Sequence, residues 1–116
     1  MVMIDASSGK VVATAPICTG TDATFFDPAT KMAFSSCSDG NITAVHQDAL
    51  DKLTVVQTIP TARGARTMAL DPATHRLYTA AQNFQAVDPA AAPAAGRGRG
   101  PTPIPDSFHV LVFEMK

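Results

Sequence analysis

The sequence predicts an all-β fold of antiparallel strands, and three observations lead to this class. Short segments of branched and aromatic residues alternate with turn signals such as Asp27-Pro28-Ala29-Thr30 and Ser38-Asp39-Gly40-Asn41. No segment of useful length shows the apolar period of a helix. One stretch of the chain also recurs further along, which is typical of repeat architectures.

The recurring stretch covers residues 11–36 and returns without a gap at 55–80, so equivalent residues are 44 positions apart (71 − 27). Both copies carry the block Asp-Pro-Ala-Thr, and Phe34 in one copy matches Tyr78 in the other as an aromatic. Other identical pairs are Val11/Val55, Val12/Val56, Thr14/Thr58, Pro16/Pro60 and Gly20/Gly64. Such a repeat indicates one supersecondary unit copied along the chain, and that unit cannot bury its apolar face alone.

Each predicted strand is an apolar or branched run that ends at a turn. In chain order these runs lie at 10–17, 23–26, 32–36, 42–47, 53–59, 67–70, 76–80 and 107–113. The aspartate that opens each Asp-Pro-Ala-Thr block accepts backbone hydrogen bonds, and the proline restricts φ at the second turn position. The strands on either side of each block are therefore expected to pair as a hairpin.

Four strands in a repeat of this length are typical of a β-propeller blade. A small β-sandwich is the alternative, but it rarely shows ungapped internal identity. The repeat pattern, with the segment 64–72 (GARTMALDP) and the ending 107–113 (SFHVLVF), resembles the YVTN/YncE-like seven-bladed β-propeller family. These two segments are similar to the last blade of such a protein. The resemblance covers the chain except for about 85–106.

The resemblance implies strands labelled A (innermost) to D (outermost), in the order C-D, A-B-C-D, A-B-C. Residues 1–17 would form half a blade, 18–60 a full blade, and 61–116 the last blade with a flexible insert at 85–106. The chain would then be the C-terminal part of a larger propeller or a truncated product. Its open edge strands would pair with the remaining blades of a parent protein or with other copies. The insert is rich in Pro, Ala and Gly, which favours a mobile loop.

Composition excludes several classes of partner. The formal net charge is −1, so no electrostatic argument favours nucleic acid or an anionic membrane surface. The apolar runs have the length of strands, so no transmembrane helix is expected. Residues 1–4 are followed directly by Asp5, which is unlike a signal peptide. A periplasmic or extracellular location is implied by the family resemblance alone.

The two cysteines, Cys18 and Cys37, have no metal-binding or redox-motif spacing. Cys37 ends one strand of the first Asp-Pro-Ala-Thr hairpin, and Cys18 lies just before the other strand at the same open end. Both thiols are therefore expected at one face of the unit, within reach of a disulfide. Two unpaired, partly buried thiols are the alternative.

The same end collects Asp22, Arg63 and Arg66, where the two inner strands begin. Asp22 and Arg66 are equivalent positions, so they are expected in neighbouring blades beside the channel mouth. Asp22 and Arg66 would form an ion pair between blades, or Asp22, Arg63 and Arg66 together would form the polar rim of a small-molecule pocket. Arg66 is the favoured ligand contact because a guanidinium can bind a carboxylate or phosphate through two hydrogen bonds.

No catalytic or metal-binding constellation is predicted. His46, His75 and His109 lie in different elements without ligand spacing, and Asp27 and Asp71 are expected to cap their turns. The sequence therefore favours a non-catalytic binding or scaffold module with no cofactor, whose partner is a protein, a small ligand or another copy. The alternative is a fragment of a propeller enzyme, lactonase-like or metal- or quinone-dependent, with its active site in the central channel.

Overall fold

The computed structural model describes residues 1–65, 67–86 and 102–115, and all regular structure in them is antiparallel β. The all-β prediction is confirmed for these residues, which contain no helix. The strands are β1 (Val2–Ile4), β2 (Val11–Thr14), β3 (Thr21–Asp27), β4 (Met32–Cys37), β5 (Asn41–Ala49), β6 (Lys52–Pro60), β7 (Met68–Asp71), β8 (Arg76–Ala81) and β9 (His109–Glu114).

The strands form three sheets, and within each sheet every strand pairs with the strand that precedes or follows it in the chain. The first sheet contains β1 and β2, the central sheet β3 to β6, and the third sheet β7 to β9. These groups of two, four and three strands agree with the predicted strand order. The assignment of the sheets to propeller blades stays a prediction.

The two copies of the repeat have the same strand register. Phe25 lies opposite Phe34 in the β3–β4 hairpin, and Ala69 lies opposite Tyr78 in the β7–β8 hairpin. The residue after each Asp-Pro-Ala-Thr block, Lys31 or His75, has a φ of 55°. Equal turns at equal positions therefore set an equal register, because turn geometry determines the pairing in a hairpin.

The central sheet lies between the other two, with β2 against β6 and β3 against β7. Successive residues of β4 face opposite neighbours, since side chains alternate across a strand. Ala33 belongs to the cluster shared with the first sheet, and Phe34 belongs to the cluster shared with the third sheet. Residues 33–37 are consequently all buried, and they form the centre of the molecule.

Most of the predicted insert at 85–106 lies outside the described residues. Its two described ends are joined to each other. The Gln85 N–H donates to the carbonyl of Thr102 at 2.8 Å, and the Ile104 N–H donates to the carbonyl of Asn83 at 2.9 Å. This short pairing continues the hairpin of β8 and β9 beyond the third sheet. Within the described ranges, no helix is long and apolar enough to cross a membrane.

Candidate functional site

Each Asp-Pro-Ala-Thr turn is held by its own aspartate. The Asp27 carboxylate accepts the Ala29 N–H at 3.1 Å and the Thr30 hydroxyl at 2.8 Å. The Asp71 carboxylate accepts the equivalent groups, the Ala73 N–H at 2.9 Å and the Thr74 hydroxyl at 2.6 Å. The capping role predicted for both aspartates is confirmed, because each one satisfies the donors of its own turn.

Among the described residues, Asp27 makes a further contact that Asp71 does not. Its carboxylate is fully buried and lies 2.6 Å from Nδ1 of His75, which follows the second Asp-Pro-Ala-Thr block. Burial raises the pKa of the Asp27 carboxyl, but the hydrogen bonds from Thr30, His75 and Ala29 outweigh it and the pKa is lowered. Asp27 is therefore ionised, and it joins the central sheet to the third sheet through His75. We call this contact the Asp27–His75 latch.

Sequence reasoning assigned His75 to a turn and missed its role. A usable signal was the equivalence of positions 31 and 75, because Lys31 and His75 both carry a side chain that can donate to a carboxylate. The other histidines contact different groups. His46 lies 2.7 Å from the carboxylate of Asp48, and His109 lies 2.9 Å from the carbonyl of Ser107.

Cys18 and Cys37 form a disulfide, with Cα atoms 5.8 Å apart. It ties the loop before β3 to the end of β4, and Cys37 is fully buried. Asp39 reinforces the same region, since its carboxylate accepts the N–H groups of Thr19 at 2.9 Å and Asn41 at 3.1 Å. Cys18, Cys37 and Asp39 have their ligand atoms within 4.8 Å of one another, but the two sulfurs are bonded together and cannot serve as thiolate ligands.

An open groove lies next to the disulfide, where the loops after β4 and β8 meet the loop that leads into β7. Its polar and aromatic lining consists of Ser38, Arg63, Gln82, Asn83, Phe84 and Gln85. The three amide side chains supply both donors and acceptors, and Phe84 is 44% exposed. We call this feature the Arg63 groove.

The loop that carries Arg63 lies directly on the turn after β4. The Thr61 N–H donates to the Gly40 carbonyl at 2.7 Å, and the Gly64 N–H donates to the Ser38 carbonyl at 3.2 Å. Gly40 has a φ of 90°, and a Cβ at this position would lie 3.1 Å from the backbone N of Arg63. Glycine is thus needed both for the left-handed backbone and for the close approach. The central sheet therefore sets the position of Arg63.

The structure places the residues predicted for the polar rim in different surroundings. Arg63 lines the groove. Asp22 accepts a hydrogen bond from the Thr67 hydroxyl at 3.4 Å, so it contacts a side chain in the segment that leads into β7. Arg66 lies outside the described residues, and its contact with Asp22 or a ligand stays a prediction.

The amides of the groove were missed at the sequence level. Gln82, Asn83 and Gln85 surround Phe84 in a segment that resembles an ordinary polar loop. Three amides and one aromatic within four residues are, in retrospect, the usable signal, because binding sites combine convergent polar groups with an aromatic surface. No described residue of the lining is an aspartate, glutamate, histidine or cysteine.

No family model, curated protein or solved structure matches this chain. The resemblance to YncE-like propellers therefore rests on the sequence motifs alone. What the described geometry offers is a groove with one guanidinium, three amides and one exposed ring, beside a disulfide.

Proposed function

We propose that this chain is a non-catalytic binding module built from β-propeller-type units, similar to the C-terminal part of a YncE-like repeat protein, and that it binds its ligand in the Arg63 groove. The observation that carries the proposal is the lining. It contains an arginine and three amides but, among the described residues, no carboxylate, imidazole or thiol that could shuttle a proton near neutral pH or activate the Ser38 hydroxyl as a nucleophile. Such a set can bind and orient a ligand without reacting with it.

The lining favours an acidic carbohydrate as the ligand. The Arg63 guanidinium can pair with a carboxylate through two parallel hydrogen bonds. The amides of Gln82, Asn83 and Gln85 can each both donate to and accept from a hydroxyl group. The exposed ring of Phe84 offers a flat apolar surface for the C–H face of a sugar. A sugar acid presents all three of these groups together.

Two further features support the proposal. The sheets of two, four and three antiparallel strands have the strand order expected for consecutive propeller units. The Cys18–Cys37 disulfide favours an oxidising compartment, in accordance with a periplasmic or extracellular location.

The test is a titration of the 15N-labelled chain with digalacturonate, followed by amide chemical shifts. The expected result is a set of perturbed amides at Ser38, Gly64 and 82–85. The Arg63→Ala variant should bind the probe at least about tenfold more weakly, because it loses the guanidinium–carboxylate pair. Neutral cellobiose serves as the uncharged comparison probe, and it should bind weakly to both forms.

The matched control is Arg76→Ala, since Arg76 pairs with Glu114 on the third sheet, away from the groove. This variant should bind digalacturonate like the unmodified chain. Perturbations confined to another surface, or equal binding by the Arg63→Ala variant, would contradict the proposed site. Cleavage of the probe during the titration would contradict a non-catalytic role.

A further inference from the structure

Both outer faces of the stack of sheets are apolar and exposed. The outer face of the first sheet presents Val2, Ile4 and Val11, which are 58%, 54% and 57% exposed. Ile4 lies opposite Val11 in the register of β1 and β2, so the two side chains share this face. Met3 points to the other side, where its sulfur lies 3.3 Å from the Gln47 amide nitrogen of the central sheet. We call the exposed side the front face.

The third sheet has an equivalent surface at the opposite end. Val110 and Val112 on β9 are 51% and 52% exposed, whereas Phe113 between the two sheets packs against the core. Val112 lies opposite Tyr78, and Val110 lies opposite Ala80. These four residues form what we call the back face. Contiguous apolar surface of this kind commonly marks an interaction site.

The chain itself shows what covers a back face. Tyr78 is the repeat equivalent of Phe34, which is only 1% exposed because the third sheet packs on it. The back face of the third sheet therefore corresponds to the surface of the central sheet on which the next unit is seated.

The front face has a counterpart inside the chain too. Val11 is the repeat equivalent of Val55, which pairs with Val45 on the side of the central sheet that faces the first sheet. The front face thus corresponds to the surface by which a unit packs on the unit before it. The front and back faces are therefore the two complementary surfaces of one type of sheet-to-sheet contact. That contact occurs twice within the molecule, between the first and central sheets and between the central and third sheets.

We propose that the front face of one copy docks on the back face of another, so that copies of this chain associate head to tail. The inference rests on the proposal that the chain is built from stacked propeller-type units. The contact joins unlike surfaces, and each added copy leaves one free front face and one free back face. Association then continues into a ring or an open chain of copies.

The experiment uses two complementary variants of the 116-residue chain. The front variant, Ile4→Lys with Val11→Glu, and the back variant, Val110→Lys with Val112→Glu, each place one charge of either sign on a single face. Opposite charges at neighbouring sheet positions preserve strand pairing while they prevent apolar docking. Circular dichroism establishes that both variants retain their β-structure. Sedimentation then gives the mass of each sample over a series of concentrations.

The unmodified chain is expected to gain mass with concentration, and each variant alone is expected to stay monomeric. An equimolar mixture should form a 1:1 dimer that does not extend, because only one intact front face and one intact back face remain. The control Val56→Lys changes a 52% exposed valine of β6 in the central sheet, outside both faces, and it should associate like the unmodified chain.

An unmodified chain that stays monomeric up to about 1 mM would overturn the inference, since that sets association weaker than about −4 kcal/mol. Dimers of either variant alone would also overturn it, because they require a face that pairs with itself. A mixture that stays monomeric would do the same. Digalacturonate binding is measured on the same samples. If the unmodified chain binds digalacturonate but does not associate, this inference alone is refuted. If the unmodified chain associates but does not bind digalacturonate, the proposed ligand site alone is refuted.

Discussion

The two Asp-Pro-Ala-Thr turns have identical sequences and the same internal hydrogen bonds, yet their surroundings differ. Asp27 is fully buried and contacts His75 of the next sheet, whereas Asp71 is partly exposed and holds its own turn. The aromatic residues show the same kind of difference, since Phe34 is buried and its equivalent Tyr78 is partly exposed. The comparison teaches that the repeat encodes the hairpin, while burial depends on whether another sheet is stacked on it.

The largest expected difference between the two copies lies in their aromatic residues. Phe34→Ala should lower the free energy of unfolding by about 3–5 kcal/mol, because it leaves a cavity between two packed sheets. Tyr78→Ala should lower it by less than about 1 kcal/mol, since no described sheet covers that face. Urea denaturation at low micromolar concentration measures both values. Equal losses would mean that the two faces are equally buried in solution.

The second-largest expected difference between the two copies comes from the disulfide. The repeat equivalents of Cys18 and Cys37 are Ala62 and Ala81, so only the central unit is cross-linked. Reduction should lower the free energy of unfolding by about 3 kcal/mol, because the bridge joins residues 19 positions apart and restricts the unfolded chain. Urea denaturation with and without dithiothreitol measures this loss.

A variant with alanine at both cysteine positions is the control for reduction. It should unfold at the lower denaturant concentration with or without dithiothreitol. A reductant effect that persists in this variant would show that the loss does not come from the bridge.

The latch predicts a smaller difference between the two aspartates. Asp27→Asn removes the charge that His75 contacts and should lower the melting temperature by roughly 5–10 °C. Asp71→Asn, the matched control, should lower it by less than about 3 °C, because only its own turn is affected. Thermal unfolding followed by circular dichroism measures both.

A double-mutant cycle isolates the contact itself. His75→Ala should have little further effect in the Asp27→Asn background, and its effect should add to that of Asp71→Asn. Additive effects in both backgrounds would show that the latch contributes no energy of its own.

The smallest expected effect is the pH dependence of the difference in melting temperature between the unmodified chain and Asp27→Asn. The folded-state pKa of Asp27 is below its ordinary value of 3.8. Its ionised form therefore stabilises the fold above that value, and the contribution is lost as the pH falls through the lower, folded-state pKa. The difference in melting temperature between the unmodified chain and Asp27→Asn should shrink as the pH falls from about 5 to about 2.5. A difference that stays constant over this range would exclude a contribution from the ionised carboxylate.

Asp48 should add to the acid sensitivity of both proteins equally. Hydrogen bonds from Thr54 and His46 lower its pKa to about 2, and neither substitution changes them. The comparison between the two proteins removes this shared contribution, and the remaining difference reports on the latch.

The sequence alone was sufficient for the strands, the turns and the common register of the two copies. These features depend on short-range chemistry: branched residues favour extended backbone, and the Asp-Pro-Ala-Thr block forms the same turn wherever it occurs. The repeat also indicated which positions are equivalent. The sequence also predicted Arg63 in the polar rim where the inner strands begin, but it favoured Arg66 as the ligand contact.

Only the tertiary structure decided which equivalent residue is buried, which cysteine arrangement occurs and which side chains share the groove. His75 contacts an aspartate 48 residues earlier in the chain, and Arg63 meets amides supplied by a different strand end. Such contacts depend on how the sheets stack, and the Asp-Pro-Ala-Thr block, which is identical in both copies, carries no local signal for that difference. Stacking buries one copy between neighbours and leaves an outer face of the other open to solvent, which is why equivalent residues have unequal surroundings.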